Sequence, residues 1–101
     1  MKKLIGLIAG VLLSLSVYAT GGHVADAAEH AKAAANAATS EEVTAHATEA
    51  MTHAKAGGGN PHTAAGVKSL QDALDHAKIG HTDAAKKSAA EAATHLKAAI
   101  S

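Results

Sequence analysis

The chain contains no cysteine, no tryptophan and no phenylalanine, and it has one tyrosine and one proline. Lacking cysteine, it has neither a disulfide framework nor a thiolate metal ligand, though it remains compatible with an oxidising compartment. No cysteine follows the N-terminal apolar run, which argues against a lipid-anchored lipoprotein. Arginine is also missing, and nine lysines balance nine acidic residues. A balance without clustered positive charge does not favour nucleic acid. Large apolar side chains are scarce beyond the first twenty residues. They are Val24, Val43, Met51, Val67, Leu70, Leu74, Ile79, Leu96 and Ile100, and the remaining apolar residues there are alanine. Alanine favours helix by propensity but buries little area. A single core of this size supplies only ~3–5 kcal/mol, so a bound metal would add noticeably to stability.

There is one long hydrophobic run, at residues 4–17, preceded by Lys2 and Lys3 and followed by Val17-Tyr18-Ala19. This pattern predicts a signal peptide over residues 1–19, with cleavage after Ala19. The run is short for a membrane span and lacks a stop-transfer flank, so no stable membrane insertion is expected after cleavage. The predicted product, residues 20–101, is secreted, most simply to a periplasm. It loses the only tyrosine and keeps seven lysines against nine acids.

What the chain does have is histidine, eight in all, and they are spaced in sevens: His23 and His30, His46 and His53, His62 and His76, His81 and His95. The last two pairs are two sevens apart. Seven residues make about two helical turns, so each pair lies on one helix face. Imidazole is the commonest protein ligand for borderline transition metals.

Local signals predict four helices, at about 23–38, 40–56, 61–79 and 82–100. Thr39 and Glu42 fit a capping box, Asn60-Pro61 is a strong helix start, Gly80 suits a helix C-terminus, and the glycines at 57–59 break the chain. His30-Ala-Lys32, His53-Ala-Lys55, His76-Ala-Lys78 and His95-Leu-Lys97 recur once per helix, as if a helical hairpin had been duplicated. Short connections between such helices predict an all-α, small up-down four-helix bundle.

On each helix the histidines sit to one flank of the apolar face, with the same handedness. In antiparallel neighbours, equal flanks meet only at alternate interfaces. Two histidine-lined grooves are therefore expected, either between helices 1 and 2 and helices 3 and 4, or between 2 and 3 and 4 and 1. The pattern does not choose between these. Asp26, Glu42, Glu49, Asp72 and Glu91 each stand four residues before a histidine, where a carboxylate can reach the ring as ligand or as acceptor. Histidines seven apart are separated by ~10.5 Å along a helix, too far to share one ion, so complete sites need a second helix, water or a second molecule.

Enzymatic readings find little support. There is no HExxH motif. The acids precede histidine by four residues, not by the three of di-iron bundles. Met51 stands alone, which disfavours Cu(I) specialisation. The periodicity places the acids on the outside, away from any di-metal catalytic centre. The alternative to metal binding is a structural or partner-binding bundle of the envelope with incidental histidines. Sparse apolar surface predicts a monomer.

The histidines in sevens, the repeated His-Ala-Lys, Gly80-His81-Thr82-Asp83 and Gly58-Gly59-Asn60 resemble the histidine-rich periplasmic small metal-binding proteins over essentially the whole predicted mature chain. The resemblance implies a four-helix bundle that binds divalent metals, notably Cu²⁺ and also Ni²⁺ or Zn²⁺, as a buffer or scavenger without a catalytic step. It carries over to His23, His30, His46, His53, His62, His76, His81 and His95. Ser69 and Ser88 occupy positions where members of that family carry histidine, as do Ala37 and Thr39, so fewer ions per molecule are expected here.

Overall fold

The computed structural model describes residues 22–57 and 59–100. The expected leader lies outside the described residues. Four α-helices follow one another, α1 (His23–Ala35), α2 (Ser40–Ala56), α3 (Pro61–Lys78) and α4 (Thr82–Ile100). Around the bundle α1 lies beside α2 and α4, and α3 beside α2 and α4, while α2 and α4 touch only weakly across the diagonal. This is a small up-down four-helix bundle.

The helix ends follow local chemistry. The Thr39 hydroxyl accepts the Glu42 N–H at 3.1 Å, and the Glu42 carboxylate reaches back to the Ala38 N–H at 3.0 Å. Asn60 Oδ1 accepts the His62 N–H at 2.7 Å, with Pro61 in the first helical position. At the end of α3, Gly80 adopts φ 81°, which lets the N–H groups of Gly80 and His81 close on the carbonyls of Ala77 and His76 at 3.0 and 2.9 Å. This paired closure needs the left-handed conformation that glycine adopts without strain.

Two expected boundaries need correction. The first helix was expected to reach residue 38 but ends at Ala35. The Asn36 side chain donates to the Lys32 carbonyl at 3.1 Å, and its backbone N–H is shared among the last carbonyls. This is a polar side chain competing with the helix ladder. The third helix ends at Lys78, one residue before the expected end, because Ile79 and Gly80 form the turn.

The core is mostly alanine. Ala27, Ala31, Ala34, Ala47, Ala50, Ala54, Ala73, Ala85, Ala89 and Ala92 are fully buried, and Leu70, Leu96 and Val43 are the large apolar side chains fully enclosed with them. Small side chains let the helix axes approach closely. Helices α3 and α4 come close at Gly66, where an added Cβ would stand 2.7 Å from Leu96 Cδ2. Among the described residues, no helix is long and apolar enough to cross a membrane.

Candidate metal centre

The antiparallel packing of α1 and α2 turns two sequence periods into a ladder. Stepping seven residues forward on α1 and seven back on α2 keeps partners level, so His23 meets His53 and His30 meets His46. The ring centroids of these pairs are 5.4 and 6.1 Å apart. His30 and His53 link the two levels, with centroids 5.6 Å apart and nearly parallel rings. The histidine grooves therefore lie between α1 and α2 and between α3 and α4.

Asp26 stands in the middle of the first groove. It is seven residues' worth of neither repeat, but one turn from both His23 and His30 on α1. Its Oδ2 lies 2.8 Å from His53 Nε2 across the groove and 3.4 Å from His30 Nε2 on its own helix. Glu49 Oε1 lies 3.7 Å from His53 Nε2. On the other side of the same ring, His53 Nδ1 is 3.1 Å from His23 Nδ1. Asp26, His30 and His53 offer ligand atoms that all fall within 4.8 Å of one another.

The chemistry of these donors fits a cation. Two ligands bonded at ~2.0–2.1 Å to a tetrahedral ion are about 3.3 Å apart, close to the spacings in the groove. Asp26 Oδ2 and His46 Nδ1 are both buried, and among the described residues neither finds a hydrogen-bond partner. The short approach of His53 to Asp26 is thus a contact without hydrogen-bond alignment. A buried carboxylate oxygen left in this way is costly unless a positive charge meets it. His46 is held below the ordinary histidine pKa, chiefly by burial and then by its neighbour His30, while Glu42 and Glu49 oppose this. The shift favours the neutral imidazole that a metal requires.

The second groove is less complete. His76 and His81 stack across the α3–α4 turn with centroids 6.5 Å apart. His62 is exposed and His95 half-buried, and among the described residues no ring contact joins them. Ser69 and Ser88 stand at the intervening rung, the first of them buried. The acids also divide. Asp26 and Glu49 reach the histidines, whereas Glu42 is engaged in capping Ala38. Among the described residues, no ion pair joins the exposed Asp72 to His76 or the exposed Glu91 to His95.

One expectation about the acids is overturned. The periodicity places them on the outside, yet Asp26 is buried, only 7% exposed. It is drawn inward because α2 covers the first turns of α1, where Val24 packs over Gly57. The sequence signal for this was the position of Asp26 between His23 and His30, on the same flank as both.

A helical bundle whose groove gathers imidazoles around a buried carboxylate defines a small helical metal-binding protein. The chain belongs to the small metal-binding protein family, whose model matches residues 1–99. No curated protein matches it.

Proposed function

We propose that the protein captures divalent transition-metal ions in the periplasm, after removal of residues 1–19, and acts there as a buffer or scavenger with no catalytic step. Copper is the expected ion, with nickel and zinc also accepted, since imidazole and carboxylate donors suit these borderline ions and Cu²⁺ binds such sets most tightly. The observation that carries this reading is the buried Asp26 Oδ2, set between the Nε2 atoms of His30 and His53 without an aligned hydrogen bond among the described residues. The carboxylate offsets the charge of the ion, the two imidazoles supply neutral nitrogen donors, and Glu49 stands near enough to close on the same ion. All these ligands come from one hairpin, so a monomer suffices. His76 and His81 form a weaker station of two imidazoles completed by water. Protonation of imidazole competes with metal, so affinity falls with pH.

Isothermal titration with Cu²⁺ at neutral pH tests this directly. At least one ion should bind per chain, and replacing His30 and His53 by Gln should abolish the tightest phase. A stoichiometry near zero would refute the reading in favour of an envelope bundle with incidental histidines. Fractionation of cells expressing the full chain, with mass spectrometry of the product, tests export and cleavage after Ala19.

A further inference from the structure

Each nitrogen of the His53 ring faces a different set of donors. Nε2 faces inward, 2.8 Å from Asp26 Oδ2 and 3.7 Å from Glu49 Oε1, with the His30 ring parallel to it. Nδ1 faces His23 Nδ1, 3.1 Å away. One ion held by Asp26, His30 and His53 leaves the second His53 nitrogen and all of His23 unused. Those two nitrogens are already at the separation that adjacent ligands of one ion adopt, about 3 Å.

We propose that the α1–α2 groove holds two Cu²⁺ ions at once, joined through the His53 imidazole. The proposal rests on the metal-binding reading above and adds a second site and a bridge to it. The inner ion takes His53 Nε2, His30 Nε2, Asp26 and Glu49. The outer ion takes His53 Nδ1 and His23 Nδ1, with water completing it because His23 is exposed. A neutral imidazole has one N–H and one free nitrogen. The first ion bonds to a free nitrogen, and the second displaces the N–H proton of His53, which passes to water. The ring then carries one negative charge and donates a pair to each ion. Two ~2.0 Å bonds plus the width of the ring place the ions about 6 Å apart. Apart from the shared His53 ring, neither bonds a group that the other needs, since Asp26 and His23 face different nitrogens of that ring. The outer site is the accessible station, and the inner one is screened by α1 and α2.

An imidazole bridge couples the two Cu²⁺ spins antiferromagnetically, and this gives a signature that two independent sites lack. The test uses the chain with His62, His76, His81 and His95 replaced by Gln, which leaves only the first groove, its fold checked by circular dichroism. Copper titration should saturate at two equivalents. The electron paramagnetic resonance intensity per copper should fall as the second equivalent enters, and a half-field transition should appear. His23→Gln, at an exposed position, should return the stoichiometry to one and restore the full signal per copper. Saturation at one equivalent in the parent overturns the bridge while leaving the metal-binding reading intact, as do two equivalents with undiminished signal. No binding at all overturns both. The same titration on the unsubstituted chain, reading the half-field transition, guards against loss of fold in the multiple variant.

Discussion

At the scale of single residues, Asp26 separates the demands of folding from those of binding. Its buried oxygen has imidazole neighbours but, among the described residues, no hydrogen bond. Without metal, and at a pH where the rings of His30 and His53 are neutral, it is a desolvated charge, and an amide of the same shape costs less to bury. With metal it is a ligand. Asp26→Asn should therefore leave the thermal midpoint of the metal-free protein unchanged or raised, and weaken Cu²⁺ binding by at least ~10–100-fold. Differential scanning fluorimetry and titration calorimetry check the two halves. A variant less stable without metal and unaltered in affinity would make Asp26 a structural residue. The half-buried His46 gives the opposite kind of effect. Its folded pKa lies below the ordinary value of 6.5. As pH falls from about 6.5 toward that lower value, the unfolded chain takes up the proton first, so stability falls with pH. Below the folded value the loss is complete. Urea midpoints of the metal-free protein between about pH 5 and 8 should decline on the acid side, and His46→Gln should flatten that decline; an unchanged profile in the variant would assign it to other groups. Much of this was legible from residue spacing. That His23 and His30 share one flank of α1, and His46 and His53 one flank of α2, follows from the period of seven. That Asp26 reaches His53 more closely than His30 does not, because a contact across a groove depends on the rotation of the partner helix.

At the scale of elements, the bundle depends on how closely alanine and glycine let the helices approach. Gly66 sits in α3 against the fully buried Leu96, whose Cδ2 and Cγ would lie 2.7 and 2.8 Å from an added Cβ. Alanine is the better helix former by ~1 kcal/mol. Overpacking a closed core costs ~1–3 kcal/mol, and Leu96 is itself fully buried. The crowding should win, so Gly66→Ala should lower stability, measured by urea unfolding at constant m-value. An increase would mean that α3 and α4 separate more easily than their packing implies. The helix starts and the Gly80 turn were readable because their signals are local side chains acting on nearby backbone. The early end of α1 came from an Asn36 side chain bonding backward to Lys32, a weaker local signal. The choice of grooves was not readable at all. Equal flanks on four helices are compatible with bundles of either hand, and only the packed arrangement puts His23 beside His53 and His76 beside His81.

At the scale of the whole molecule, a thin core and a strong ligand set are linked. A core of this size gives ~3–5 kcal/mol, and its large buried side chains are few. A ligand that binds only the folded state adds RT ln(1 + [L]/Kd), or ~2.7 kcal/mol at a hundredfold excess over Kd. For a domain of this length each 1 kcal/mol moves the thermal midpoint by roughly 4–8 °C, so the shift should be about 10–20 °C. The distribution of that gain is more informative than its size. The donors Asp26, His30, His53 and Glu49 all belong to α1 and α2. The α3–α4 hairpin instead relies on Leu70, Leu96 and the tight approach at Gly66. Local openings of the first hairpin must break metal bonds, whereas fraying of the second need not. Hydrogen exchange with and without one equivalent of Cu²⁺ should therefore show the largest added protection in α1 and α2, with smaller changes in α3 and α4. Equal protection in all four helices would mean that they open only together. Protection concentrated in α3 and α4 would move the principal site to His76 and His81.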